Sequence, residues 1–295
     1  MGSGSWSTKA FASYSTALGR SVSSSGAVVD SLSNQEIFQS KSIDPALNPK
    51  SVIRECVDSD EHPETIPVIL ALDVTGSMGD TAVEIAKQLN VIMTNLYESV
   101  KDVEFMIMGI GDLAFDHAPI QASQFESDIR IADQLEKVYF EFGGGGNTFE
   151  SYTAAWYFGN YCTKLDCWKR NKRGIIITIG DERLNPYLPE EPLRQSLGSL
   201  PGQEVLETKS LFPLVNEKFH LYHLNVDHRG GYDQVGITES FKEYENAGLH
   251  FKTVNLDEVP AEITNIIKSV ADETPTVQPV VESKVDHDEN GSIVW

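Results

Sequence analysis

One carboxylate and two hydroxyls follow a continuous apolar run at alternate positions of the chain. The apolar residues 67–72 lead directly into Asp73, and Thr75 and Ser77 follow at two-residue spacing. Mg²⁺ prefers oxygen ligands in near-octahedral geometry and keeps several waters. One charged and two neutral protein oxygens would leave such an ion electrophilic, so that it favours an acidic partner. The spacing therefore indicates a site for a hard divalent cation.

A second apolar segment ends in a carboxylate in the same way. Residues 174–180 include three consecutive isoleucines, a pattern typical of a strand buried on both faces, and Asp181 follows them directly. Parallel sheets bind ligands beyond the carboxyl ends of their strands, so Asp73 and Asp181 are expected at the same edge. Helix capping explains Thr75, Ser77 or Asp181 singly, but it does not explain a matched set on two strand ends.

Residues 73–79 read Asp-Val-Thr-Gly-Ser-Met-Gly and resemble the metal-ion-dependent adhesion site (MIDAS) of von Willebrand factor A (VWA) domains. The motif follows a strand and leads into an amphipathic helix, and the resemblance extends from residue 67 to about residue 272. It implies an α/β fold with a doubly wound, mostly parallel six-stranded sheet and helices on both faces, which is Rossmann-like. It also implies one Mg²⁺ or Mn²⁺ ion, with Asp181 as the third-loop ligand.

The second loop departs from the commoner form of that family, which places a threonine after a glycine-rich turn. Residues 143–151 read Gly-Gly-Gly-Gly-Asn-Thr-Phe-Glu-Ser, and an alignment through the usual threonine position would put Gly146 at the metal. Either the Thr148 hydroxyl or the Glu150 carboxylate can supply the ligand instead, the latter as in the integrin-β-like branch. We prefer Thr148, because neutral oxygens keep the metal electrophilic.

Two other groups of ligand-type residues are expected to have different roles. Asp112 and Asp116 follow the second predicted strand and could line the rim or hold a second cation, but we expect solvated loop acids. His220 and His223 are three residues apart on a predicted strand and point to opposite faces, so they cannot both bind one metal ion, with or without His228.

Alternating strand and helix patterns must position these residues. Apolar runs predict strands at 68–73, 103–110, 138–142, 174–180, 219–226 and 250–254. Helical spacing or composition predicts helices at 82–96, 149–161, 239–247 and 259–270. This alternation predicts a doubly wound, mostly parallel sheet of six strands.

Composition separates the domain from its flanking segments. Residues 1–36 are rich in Ser and Gly and are expected to form a flexible arm, and residues 37–66 an irregular wrapping segment. Residues 67–272 are the predicted VWA domain, and residues 273–295 an acidic, disordered tail. The proline-rich connection 183–203 is long and follows Asp181, so we expect it to determine partner specificity.

Charge and cysteine content restrict partners and location. The chain has 44 acidic and 23 basic side chains and a formal net charge of −21, which argues against nucleic acid as a direct partner. Its three cysteines, Cys56, Cys162 and Cys167, match neither a disulfide scaffold nor a zinc ribbon. Because no run of membrane-spanning length and no signal-peptide pattern occurs, we expect a cytoplasmic protein without membrane contact.

These observations predict a non-enzymatic protein-binding module or adaptor, in which a Mg²⁺ or Mn²⁺ ion captures an Asp or Glu of a partner. The sequence contains no P-loop, no Ser-His-Asp order and no paired carboxylates of a hydrolase. The VWA resemblance implies that the partner is an AAA+ ATPase or a multiprotein assembly. A structural component of a phage or bacterial particle, with arm and tail as assembly contacts, remains an alternative.

A haloacid-dehalogenase-like phosphotransferase is the other alternative. Residues 73–77 resemble the phosphorylated motif of P-type ATPases, and residues 180–185 resemble their Gly-Asp-x-x-Asn metal motif. Asp73 would then be the nucleophile, Asp181 a Mg²⁺ ligand, and Lys172 would also gain a role. Against this reading, no acid lies two residues after Asp73, and the glycine-rich turn would have no function.

Overall fold

Strands and helices alternate through most of the chain. The computed structural model describes residues 4–141, 149–201, 205–227 and 230–272. The strands are β1 (Arg54–Cys56), β2 (Ile66–Asp73), β3 (Val103–Ile110), β4 (Ile120–Ala122), β5 (Phe149–Glu150), β6 (Thr163–Leu165), β7 (Gly174–Gly180), β8 (Arg183–Leu184), β9 (Phe219–Val226) and β10 (Leu249–Val254). The helices are α1 (Thr8–Ala17), α2 (Asn34–Ile37), α3 (Gly79–Tyr97), α4 (Arg130–Glu136), α5 (Thr153–Tyr161), α6 (Glu190–Leu197), α7 (Thr208–Asn216), α8 (Gln234–Glu245) and α9 (Val259–Ala271).

A six-stranded sheet in the order β10-β9-β7-β2-β3-β4 lies at the centre of this mixed α/β fold. All its pairs are parallel except β3 with β4. Strand β2 lies between β3 and β7, with Asp73 opposite Ile110 and Leu72 opposite Ile179. The predicted mixed α/β fold with a mostly parallel six-stranded sheet is therefore confirmed.

The sixth strand is not the predicted one. Segment 138–141 forms no strand of the sheet, although Glu141 makes an isolated parallel bridge with Thr75, and β4 takes the place of the predicted strand. The cause is the side chain of Gln121, whose Oε1 accepts from Tyr139 N (2.9 Å) and whose Nε2 donates to Tyr139 O (2.7 Å). Because a side chain occupies both backbone groups of Tyr139, the segment runs beside β4 without a backbone ladder.

Alternate residues of β2 enter two different hydrophobic clusters. Val68 and Leu70 pack with side chains of α3 and α9, whereas Ile69 and Ala71 pack with side chains of α5, α7 and α8. Successive side chains of a strand point to opposite faces, so the central strands are buried on both faces. Residues 67–73 of β2 are all buried, which fixes the position of the strand's carboxyl end.

The N-terminal segment, predicted to be a flexible arm, contains a helix that packs on the domain. It contains α1, whose Phe11 is buried, and Trp6 Nε1 donates to Asn90 Oδ1 of α3 at 2.9 Å. The aromatic side chains of Trp6 and Phe11 thus supply apolar contact that offsets part of the entropy cost of ordering a Ser- and Gly-rich segment. The wrapping segment contains α2 and also β1, which pairs in parallel with β6. The predicted acidic tail, 273–295, lies outside the described residues.

All three cysteines are in described segments, and each is buried and unpaired. Burial raises the pKa of Cys162 and Cys167 to about 12, so both thiols stay protonated and inert at neutral pH. They are core residues. In the described ranges, no helix combines the length and apolarity needed to cross a bilayer.

Candidate metal centre

Asp73 ends β2 and accepts hydrogen bonds on both carboxylate oxygens. Thr75 donates to Asp73 Oδ1 through its backbone N (2.9 Å) and its Oγ1 (2.6 Å). The turn forms because the backbone of Val74 pairs with β3 and with Glu141, after which a 3-10 helix (Gly76–Met78) leads into α3. The first loop is thus shaped by the sheet on one side and by a helix start on the other.

The four residues predicted on the first and third loops come together. The Thr75 and Ser77 hydroxyl oxygens are 3.1 Å apart, and Ser77 Oγ donates to Asp181 Oδ1 at 3.3 Å. Asp73, Thr75 and Asp181 are buried, and Ser77 is half-buried. A continuous series of oxygen atoms therefore joins the ends of β2 and β7.

This donor set contains two carboxylates and two hydroxyls. The described part of the chain holds no group of three or more His, Cys, Asp or Glu side chains arranged to bind a metal ion. Mg²⁺ accepts carboxylate and hydroxyl oxygens as ligands and keeps several waters. In their chemistry the residues present fit Mg²⁺ or Mn²⁺.

The acids around this site have unfavourable surroundings as long as no cation is bound. Burial, and next the charge of Asp181, raise the pKa of Asp73 to about 7 despite hydrogen bonds from Thr75 and Tyr152. Burial and then the charge of Asp73 raise the pKa of Glu150 to about 11. Glu150 Oε2 is buried without a hydrogen-bond partner among the described residues. A divalent cation among these oxygens would offset both desolvation and repulsion.

Glu150, the alternative second-loop ligand, is held beside the third loop. Strand β5 pairs in parallel with β8, so that Phe149 lies opposite Arg183 and Glu150 opposite Leu184. Thr148, the preferred ligand, lies outside the described residues, as does the glycine-rich turn before it. The choice between Thr148 and Glu150 stays a prediction.

Tyr152 is a residue of this site that the sequence did not identify. Its Oη donates to Asp73 Oδ2 at 3.0 Å and accepts from Glu182 N at 3.2 Å. Segment 149–161 was predicted to be one helix, but α5 begins only at Thr153. A Cβ on Gly180 would lie 1.9 Å from Tyr152 Oη, so only glycine fits there. Neither residue carries a signal of this contact in its local sequence.

The loop after β3 corrects a second expectation. Asp112 is buried rather than solvated, and Asp116 is half-buried. Asp116 Oδ2 accepts from Asp112 N (2.7 Å), and Asp112 Oδ1 accepts from Ala114 N (2.7 Å). Burial raises the pKa of Asp116 to about 6. These two acids accept hydrogen bonds from the backbone of the loop, and their charges also raise the pKa of Glu150.

The predicted separation of His220 and His223 is confirmed. His223 is buried, stacks on Phe241 (4.2 Å between ring centroids) and has Nδ1 2.9 Å from Thr178 Oγ1. His220 is half-buried and accepts on Nδ1 from Arg173 at 3.0 Å. Burial lowers the pKa of His223 to about 3 and, with Arg173, that of His220 to about 4. His228 lies outside the described residues.

Lys172, the lysine that suited a phosphotransferase, lies at the other end of the sheet. It lies two residues before β7, with its Nζ 3.5 Å from Glu64 Oε2, whereas Asp73 lies at the carboxyl end of the adjacent strand. Seven strand residues separate these two ends by roughly 20 Å. Asn185, the last residue of the other phosphotransferase-like motif, bonds to Thr153 and Tyr187 instead of facing Asp73.

The connection after Asp181 is partly regular. It contains α6, and a hollow of about 530 Å³ beside it is lined by Pro186, Tyr187, Leu188, Pro189, Glu190, Leu206 and Glu207. Tyr187 is 58% exposed. An exposed aromatic side chain in the connection 183–203 agrees with the predicted role of this segment in partner specificity. That role stays a prediction.

Comparison with known proteins gives a fold likeness only. No family model matches the chain, and no curated protein matches it. The chain is similar to two crystal structures of the pilus adhesin SpaC from Lactobacillus rhamnosus GG, one of them in an open conformation. The sequence identities are 12% and 14%, and each match has a TM-score of 0.45 over 75% of this chain. The chain spans about a third of the adhesin's length, 31% and 32%. At this TM-score the likeness carries no argument about function.

Proposed function

We propose that this chain is a non-enzymatic, metal-dependent protein-binding module with a doubly wound, Rossmann-like VWA fold. Its Mg²⁺ or Mn²⁺ ion would be held by Asp73, Thr75, Ser77 and Asp181, with Glu150 or Thr148 from the second loop. The observation that carries this proposal is the series of oxygen contacts of 2.6 to 3.3 Å from Asp73 through both hydroxyls to Asp181.

The chemistry of the site favours a carboxylate as the group that is captured. Without a cation, the carboxyl groups of this edge offer an incoming Asp or Glu no positive charge to bind. A bound divalent ion reverses this, because it keeps exchangeable waters that a partner carboxylate can replace. Binding of an acidic partner therefore requires the metal.

Exposed apolar side chains near the same edge support a protein as the partner. Phe115 follows β3 and is 55% exposed, and Tyr232 and Val235 follow β9 with 45% and 80% exposure. Apolar and aromatic side chains around a polar site are typical of protein interfaces. As the VWA resemblance implies, we propose an AAA+ ATPase or a multiprotein assembly in the cytoplasm.

The two alternatives gain less support. Lys172 is at the far end of the sheet, and both Asp73 oxygens accept hydrogen bonds, which leaves the carboxylate poorly placed to attack phosphorus. The particle-component hypothesis uses the arm as an assembly contact, but Phe11 of the arm is buried on its own domain.

Capture from a lysate of the native host tests this proposal. The immobilised chain should retain a defined protein with Mg²⁺ and release it with EDTA, and Asp73→Ala should retain none. Asp166→Ala, which changes an acid before β7, is the matched control and should behave as wild type. Capture that is equal with and without EDTA would contradict the proposal. Aryl phosphate turnover that disappears in Asp73→Asn would favour the phosphotransferase.

A further inference from the structure

Tyr152 connects the two loops that carry the acids of the candidate metal centre. Its hydroxyl donates to Asp73 Oδ2 (3.0 Å) at the end of β2. The same oxygen accepts from the backbone N of Glu182 (3.2 Å), the residue after Asp181. One side chain therefore spans the carboxyl ends of β2 and β7.

The position of this hydroxyl is fixed by packing on all sides. Tyr152 is 1% exposed, and its ring lies 4.9 Å from the His223 ring and 6.5 Å from the Phe241 ring, measured between centroids. The oxygen occupies the space where any residue other than glycine at position 180 would place its Cβ. Glycine at that position is thus required by the tyrosine.

We propose that Tyr152 is a positioning residue for the metal ion, which holds the Asp73 carboxylate at a set orientation and distance from the Asp181 loop before the ion binds. This inference rests on the proposed function. The Thr75 donors fix only Asp73 Oδ1, so rotation of the carboxylate is restrained at Oδ2 by Tyr152.

A tyrosine suits this role better than a basic residue would. A lysine or arginine beside Asp73 would neutralise the charge that attracts the cation, whereas a phenol orients the carboxylate and leaves its charge in place. Hydrogen-bond partners of metal ligands typically change metal affinity by about 10- to 100-fold when they are removed.

Tyr152→Phe tests the inference, because it keeps the ring and removes only the hydroxyl. Mn²⁺ dissociation constants are measured by titration calorimetry and by electron paramagnetic resonance, and the melting temperature in EDTA reports the fold. We expect Mn²⁺ binding to weaken by about tenfold or more. Tyr157→Phe removes a hydroxyl from another buried tyrosine, in the helix α5 that begins directly after Tyr152, and should leave the Mn²⁺ affinity unchanged.

Rescue separates hydrogen bonding from packing. Replacing Tyr152 with p-aminophenylalanine restores a donor to Asp73 and should recover most of the Mn²⁺ affinity. If Tyr152→Phe does not fold in EDTA, this replacement decides alone: affinity near that of wild type supports the inference, and a tenfold loss overturns it.

The remaining outcomes distinguish this inference from the proposed function. Suppose that folded Tyr152→Phe binds Mn²⁺ within twofold of the wild-type affinity, while Asp73→Ala loses Mn²⁺ binding. This result would overturn the proposed role of Tyr152 and would still support the metal site. Absence of Mn²⁺ binding in the wild-type chain would overturn both.

Discussion

Two buried glutamates at opposite ends of the central sheet have different surroundings. Glu104, near the start of β3, is 2% exposed, and Glu150, beside the carboxyl ends of β2 and β7, is 6% exposed. Each has a buried Oε2 without a hydrogen-bond partner among the described residues. Burial raises the pKa of Glu104, but the Cys56 thiol and His62 act in the opposite direction. Around Glu150, the main contributions beyond burial all come from carboxylates and raise its pKa further.

Other acids at the amino end of the sheet also have basic partners within the chain. Asp102 lies 3.2 Å from His62 Nδ1, Glu126 lies 2.9 Å from Arg130, and Arg170 pairs with Asp58. The amino end thus supplies basic partners for its acids, whereas the charges that act most strongly on Asp73 and Glu150 are those of other carboxylates. This difference supports the proposal that the carboxyl end binds a cation from solution.

The strongest test of this comparison is the same substitution at both ends. We expect Glu150→Gln to weaken Mn²⁺ binding by about 10- to 100-fold, because it removes a negative charge beside the ion. Glu104→Gln removes an equally buried charge at the far end and should leave the Mn²⁺ affinity within twofold of wild type. Equal losses in the two variants, measured by titration calorimetry, would show that the ends do not differ in this way.

A smaller effect is expected from the second-loop hydroxyl. Thr148→Ala should weaken Mn²⁺ binding by about tenfold at most, since a neutral ligand contributes less to cation binding than a carboxylate. The buried carboxylate of Glu150 beside Asp73 is the reason to expect the larger loss from Glu150→Gln. The reverse order of affinities would restore the preference for Thr148 that the sequence suggested.

The two ends should also respond to pH in opposite directions. Asp116 titrates near 6 when folded and near 3.8 when unfolded, so the unfolded chain releases its proton first and the free energy of unfolding falls as pH rises from about 4 to 6. At the amino end, Lys169 lowers the pKa of Asp166, so the stability that Asp166 contributes is present above about pH 4 and is lost as pH falls.

Urea unfolding of metal-stripped protein between pH 4 and 7 measures this contrast. Asp116→Asn should reduce the fall in stability by about 1 kcal/mol, because a half-buried carboxyl is partly screened by water. Asp166→Asn should lower stability at pH 7 by less than about 0.5 kcal/mol. An unchanged pH dependence in Asp116→Asn would contradict the assignment of this slope to the carboxyl end.

Burial explains which parts of the structure could be predicted from the sequence. Strands β3, β7 and β9 have the predicted bounds, because continuous apolar runs leave few alternatives for strands buried on both faces. Asp73 and Asp181 were predicted together for a related reason, since parallel strands place their carboxyl ends at one edge.

The remaining features depend on contacts between distant segments. Strand β4 replaces segment 138–141 because of the Gln121 side chain, and the N-terminal segment contacts α3 through Trp6 and Asn90, which are 84 residues apart. Tyr152 meets Asp73 across 79 residues. Hydrophobic periodicity and residue spacing describe single segments and give no information on contacts between distant ones. These contacts therefore could not be predicted from the sequence alone.

Thermal unfolding with and without Mg²⁺ tests the central claim, that the carboxyl end binds an external divalent cation, most directly. Metal-stripped wild-type protein should gain about 2.7 kcal/mol at a Mg²⁺ concentration 100 times the dissociation constant. For a chain of this size the gain corresponds to a rise in melting temperature of roughly 5–10 °C. Asp73→Ala should fold and show no such rise. An equal rise in both proteins, or none in wild type at millimolar Mg²⁺, would contradict the claim.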